Sequence, residues 1–172
     1  MPAYWKNSKI SVLFKKGDKQ QPGNYRPICI TPILYRLFSK VLLRRIHATL
    51  EAAQSKDQAG FRSSFGCIDH IFALTMITEK ANEFGLPLWI ATIDFQKAFD
   101  SVSHGAIWEA LAEQGVDLAY IDMLQRLYVG QEARVQTDRK SSKFPIQWGA
   151  RQGDPISAII SNAVVEMFMG RV

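Results

Sequence analysis

Between Leu88 and Ile93 the chain reads Leu-Trp-Ile-Ala-Thr-Ile and then meets a carboxylate, Asp94. A run without polar alternation predicts a strand buried on both faces. An ionised carboxylate at the end of such a strand costs free energy unless a cation or hydrogen-bond donors meet it. Asp94 is therefore either a metal ligand at the carboxyl end of a sheet, or an N-cap or ion-paired surface aspartate. For an isolated aspartate the surface role is commoner, so the neighbouring residues decide.

The remaining composition narrows the class. The 172 residues are 47% hydrophobic and 22% charged, which is the balance of a core-forming chain with one domain or two subdomains sharing a sheet. Cys29 and Cys67 have no CxxC partner, and two cysteines make no disulfide framework, so both are expected reduced in an intracellular protein, nuclear or cytoplasmic. The longest apolar segment, Pro155 to Met169, is interrupted by Ser157, Ser161, Asn162 and Glu166, so no membrane span is expected. Charge is unevenly placed. Met1 to Arg62 holds 12 Lys/Arg against 3 Asp/Glu, a net +9, and the rest is net −4. A basic first third suits phosphate, and an acidic remainder suits cations.

Read in order, Lys9 to Phe14 predicts a short strand, followed by the basic turn Lys15-Lys16-Gly17-Asp18-Lys19. Pro22-Gly23-Asn24 is a second turn and delivers Arg26. Arg26 with Lys15 or Lys16 can converge on a polyphosphate; the spacing does not choose between the lysines. Thr31-Pro32 opens a helix to about Ala53, with Leu34, Leu37, Phe38, Val41, Leu42 and Ile46 as its apolar stripe. Gly60-Phe61-Arg62 is a bend whose ring and guanidinium can stack on a base and meet a phosphate. A helix follows from about Cys67 to Phe84, burying Ile68, Ile71, Phe72, Thr75 and Met76, with Gly85 as its stop. His70 has no second ligand at metal spacing and reads as structural.

Beyond Asp100, Ser101 or Ser103 caps a helix to about Gln114, and Asp117 caps another to about Tyr128. Glu132–Thr137 and Lys143–Trp148 form a hairpin. Gly149 to Pro155 is a tight loop into a last helix, capped by Asp154 and still running at the last residue.

Five words now stand in register: Phe14-Lys15-Lys16-Gly17-Asp18, Asn24-Tyr25-Arg26-Pro27-Ile28, Gly60-Phe61-Arg62, Ile93 to Val102, and Arg151-Gln152-Gly153-Asp154-Pro155-Ile156-Ser157. Together they resemble the reverse transcriptase (RNA-directed DNA polymerase) of non-LTR, LINE-type retrotransposons, and they cover almost the whole chain. The resemblance implies an α+β, right-hand polymerase: a fingers-like region over residues 1–86 and a partial palm over 87–172, its antiparallel sheet backed by helices. It implies two Mg²⁺ ions held by Asp94 and the backbone carbonyl of Phe95, as in-line phosphoryl transfer requires. Lys15 or Lys16 with Arg26, Gln152 and Gly153 would bind the nucleotide. Phe99 would lie under the sugar and exclude a 2′-hydroxyl, which favours deoxynucleotides. Gly60, Phe61, Arg62 and Arg151 would meet the template. RNA template, DNA primer, dNTP and the remainder of a larger retroelement polyprotein are the implied partners.

The wording also departs from that family. Ala158 stands where Pro is usual, Ser161 near a usual Phe, and Ser63-Ser64-Phe65 where Gly follows the Gly-Phe-Arg word. The aromatic-Ala-Asp-Asp word that carries the remaining metal carboxylates is nowhere in the sequence. One carboxylate cannot fix two ions, so the segment is expected to be inactive alone, with the strand before Asp94 an exposed apolar edge. The alternatives are a non-catalytic nucleic-acid-binding module and a fragment of a group II intron-type maturase.

Overall fold

The strands at the start of the chain set the frame for the site. In the computed structural model, which describes residues 1–170, β1 (Asn7–Phe14) and β2 (Tyr25–Ile30) form an antiparallel hairpin with Phe14 opposite Tyr25 and Leu13 opposite Arg26. Arg171 and Val172, the end of the expected palm segment, lie outside the described residues. β3 (Glu132–Val135) pairs in parallel with β1, and the short β4 (Phe144–Pro145) pairs antiparallel with β3. The sheet order is β2-β1-β3-β4. The expected antiparallel sheet is thus a mixed one, shared between the two halves of the chain.

Six α-helices accompany it among the described residues: α1 (Ile33–Ala53), α2 (Cys67–Glu83), the single turn α3 (Ala98–Ser101), α4 (His104–Glu113), α5 (Leu118–Tyr128) and α6 (Ser157–Met169). Four of them make the core. Leu42, Ile46 and Leu50 of α1 meet Ile107 and Leu111 of α4, Leu124 and Leu127 of α5, and Ile160 of α6. Each such side chain contributes about 1.5–3 kcal/mol by leaving water. None of the described helices is long and apolar enough to cross a membrane.

Several local expectations are corrected. Residues 88–93 form no strand and are exposed, Trp89 at 93%. A strand is stabilised by a neighbour's backbone groups, and among the described residues no strand of the sheet pairs with this segment. α2 likewise has no buried residue, and Ile68, Ile71 and Phe72 are exposed. On α1 the buried stripe is Tyr35, Ser39, Leu42, Ile46 and Leu50, while Leu34, Leu37 and Val41 are exposed. Thr31 does not cap α1; Pro32 occupies that position, and the Thr31 hydroxyl is buried without a partner. Ser103 caps α4 by accepting from the Ala106 N–H, and Asp117 caps α5. Asp154 is not the cap of α6, which begins after Ile156 and ends at Met169.

Candidate functional site

The β1–β2 hairpin brings two cations to one end of the sheet. Lys15 follows Phe14, its N–H donates to the Asn24 carbonyl at 2.8 Å, and Arg26 stands one residue beyond Tyr25, the partner of Phe14. Opposite them the chain turns through Asp94–Asp100. The two sides enclose a cleft of about 810 Å³ lined by Lys15, Arg26, Phe61, Asp94, Phe95, Phe99 and Gln152. That volume suits a ligand of nucleotide size. Lys16 lies outside the lining, so geometry separates the two lysines that spacing left equivalent.

Asp94 is exposed and makes no hydrogen bond or ion pair within the described residues. Its carboxylate and the Phe95 carbonyl are hard oxygen donors of the kind Mg²⁺ prefers, so the residues present fit the first ligands of such an ion. No group of three or more His, Cys, Asp or Glu gathers among the described residues, so they do not complete a cage for it. Asp100 shares the cleft. Partial burial pushes its carboxyl pKa up, while Lys97 and Lys15 pull it down. Between these acids Lys97 sits in the left-handed region at φ 54°, a conformation that costs a residue with a Cβ roughly 1–2 kcal/mol. Such strain is retained only where surrounding structure enforces it.

The loop from Gly149 to Asp154 is pinned at both ends. Gly149 has φ 88°, and a Cβ there would stand 2.9 Å from the Phe99 carbonyl, which itself accepts from the Ala150 N–H at 2.7 Å. Gly153 has φ 105°, and a Cβ there would stand 2.9 Å from the Cys29 carbonyl. Between them the Gln152 carbonyl accepts from the Cys29 N–H at 2.8 Å, which leaves the Gln152 side chain as the loop's contribution to the cleft. Gly153 is accordingly needed for contact with β2 and does not line the cleft. Gly153→Ala is expected to destabilise the fold by about 2–4 kcal/mol, from the φ penalty plus a backbone clash. Urea denaturation of the variant measures it, and a cost under about 0.5 kcal/mol contradicts the close packing.

Beneath the loop lies a buried polar cluster absent from the sequence-based expectations. The hydroxyls of Tyr35 and Ser39 both donate to the Asp154 carboxylate. Arg151 is 4% exposed: its Nε donates to Gln131 Oε1 at 2.7 Å, its Nη2 to the Leu127 carbonyl at 3.3 Å, and its guanidinium lies 4.5 Å over the Tyr35 ring. Burial, then the nearby Asp154 charge, pushes the Tyr35 hydroxyl far above its usual pKa, which keeps it a donor. One signal existed: Tyr35, Ser39, Leu42, Ile46 and Leu50 fall on one helical face, but two of them are polar.

Two side chains expected at the template are engaged within the protein in this structure. Arg151 is enclosed by the protein. Arg62 is held by Glu51 at 2.9 Å, by the carbonyls of Ser55 and Gln58, and by the ring of Phe65. Neither guanidinium faces the cleft. Gly60 also stays outside its lining, its carbonyl accepting from Asn162 Nδ2 of α6 at 2.6 Å. Of that bend only Phe61 reaches the cleft.

Comparison with known proteins gives the family. Residues 14–172 match the family described as reverse transcriptase (RNA-dependent DNA polymerase). The chain is 29% identical over 156 residues to the Pol polyprotein of retrotransposable element R2DM of Drosophila melanogaster, covering 90% of this chain and 15% of that protein. It is 29% identical over 168 residues to the R2 polyprotein of Popillia japonica, covering 96% and 23%, and 26% identical over 171 residues to the 149 kDa protein of transposon TX1 of Xenopus laevis, covering 98% and 13%. The chain thus spans under a quarter of the length of each. Among solved structures, telomerase of Candida tropicalis truncated from its C-terminal domain superposes with a TM-score of 0.66 over 97% of this chain and 39% of that one, at 14% identity. That likeness is one of fold.

Proposed function

We propose, from the premise that this chain belongs to the reverse transcriptase (RNA-dependent DNA polymerase) family, that it forms the nucleotide-binding part of a non-LTR retroelement polymerase adding deoxynucleotides to a primer on an RNA template. The fold is that of a right-hand polymerase, α and β mixed. Residues 1–86 act as fingers and 87–172 as the first part of a palm. The observation that carries the reading is the shared cleft, in which Asp94, Phe99 and Gln152 face Lys15 and Arg26.

Each residue has a role in that reaction. Asp94 and the Phe95 carbonyl would hold divalent metal, which would supply activation of the primer 3′-hydroxyl and offset charge on the leaving pyrophosphate. Arg26 takes phosphate oxygens with its planar fork and Lys15 as a point charge. Gln152, held by its own backbone bond to Cys29, presents donor and acceptor to the incoming nucleotide. Phe99, fixed through its carbonyl to Ala150, places its ring under the sugar where a 2′-hydroxyl would fall. Lys16, Gly60 and Gly153 act only as neighbours of these groups. The reaction is intracellular.

The metal cage needs carboxylates that this segment does not supply, so the 172 residues alone are expected to give no templated product. Primer extension with Mg²⁺ and dNTPs on a primed RNA checks this, run beside the longest natural polypeptide that contains the segment. Product from the longer polypeptide and none from the segment is the expected result. Robust product from the segment contradicts the incomplete cage; none from the longer chain overturns the polymerase reading. Salt-sensitive RNA binding without synthesis in both would favour the non-catalytic module, for which Arg36, Lys40, Arg44 and Arg45 offer unpaired charge on α1.

A further inference from the structure

Phe61 is built into the cleft at some cost. It lies in the left-handed region at φ 58°, and its ring is 71% exposed. Both conditions are unfavourable for phenylalanine, and the loop imposes them from either side. On one side, the Gly60 N–H donates to Gln58 Oε1 at 2.9 Å and the Gly60 carbonyl accepts from Asn162. On the other, Arg62 is immobilised by Glu51, Ser55, Gln58 and the Phe65 ring. Residue 61 is therefore clamped while its side chain is left to solvent. The ring meets Phe99, with centroids 6.0 Å apart and planes at 79°, an edge-to-face contact.

We propose that Phe61 is a specificity-setting residue: it braces the Phe99 ring from the solvent side and so sets the clearance at the 2′ position of the incoming sugar. This rests on the polymerase reading above, in which Phe99 lies under that sugar. Phe99 is half-buried, its backbone is tied through Ala150, and a contact on its ring narrows the rotamers open to it. Phe61 is that neighbour. Without it the Phe99 ring can swing toward the vacated space, and a 2′-hydroxyl is admitted. A template-stacking role for Phe61 predicts something different, weaker template use with the same choice of sugar.

The test measures kcat/KM for a dNTP and the matching rNTP on a primed RNA, using the longest natural polypeptide containing these residues. Phe61→Ala is expected to lower the dNTP:rNTP preference about three- to tenfold, the range of one edge-to-face ring contact. Phe61→Tyr, which keeps the ring, should retain the wild-type preference. Phe99→Ala should lower it further, and Phe61→Ala added to Phe99→Ala should change nothing more, because Phe61 acts through Phe99. An unchanged preference in Phe61→Ala, or additive effects in the double variant, overturns the proposal while leaving the polymerase reading intact. Absence of dNTP incorporation by the wild-type protein overturns both.

Discussion

Asp94→Asn in the polymerase-competent polypeptide is expected to lower primer extension about a thousandfold or more with its folding unchanged. Loss of an anionic metal ligand removes several kcal/mol of charge stabilisation, and about 4 kcal/mol corresponds to a factor near 10³. Folding should be indifferent because Asp94 is exposed and has no protein partner among the described residues. Exposed substitutions of that kind stay within about 0.5 kcal/mol. The two readouts belong together. A rate fall matched by a lower unfolding midpoint would make Asp94 structural, and wild-type extension by the variant would remove it from the site. Asp100, the other carboxylate of the cleft, is the internal comparison. Asp100 is given no part in holding metal, so Asp100→Asn should cost far less activity than Asp94→Asn.

The second large effect concerns stability. Asp154→Ala is expected to cost about 3–5 kcal/mol, because two fully buried hydroxyls, Tyr35 and Ser39, lose their shared acceptor. The Arg151 guanidinium, stacked on the same tyrosine, would also be left without the nearby anion. Asp154→Asn keeps an acceptor and should cost less than half as much, whereas Tyr35→Phe removes one donor and should cost about 1–2 kcal/mol. Urea denaturation of the three variants ranks them. A cost below about 1 kcal/mol for Asp154→Ala would mean that water replaces the carboxylate and that the cluster does not hold the loop. If it does hold the loop, the same variants carry a raised KM for nucleotide, since Gln152 lies between Arg151 and Asp154.

Legibility differed by element. The first strand and the turns at Gly17 and Gly23 could be read because they are local, whereas β2 (Tyr25–Ile30) was not among the expected strands. α4 and α5 were readable from Ser103, Asp117 and their apolar spacing for the same reason. The segment 88–93 was not. Its composition states that it should be buried but cannot provide the neighbouring strand, and without one the run stays exposed. α2 shares that condition. The buried stripe of α1 was misplaced because Tyr35 and Ser39 look like surface residues until Asp154, more than a hundred positions away, arrives to accept from them.

Asp94, Phe99, Arg26 and Gln152, singled out from words in order, line one cleft in the structure. Arg62 and Arg151 show the limit of that method. A guanidinium in a basic word has the same letters whether it faces a phosphate or a glutamate, and only packing tells which.

By itself, then, the order of residues determined which family this chain joins and where its turns and most helices lie, because these depend on neighbours a few positions apart. The tertiary structure decided that Lys15 rather than Lys16 lines the cleft, that Arg62 and Arg151 turn inward, that Asp154 is a buried acceptor, and that Phe61 touches Phe99. Those outcomes depend on contacts between distant segments, whose energies no local pattern contains.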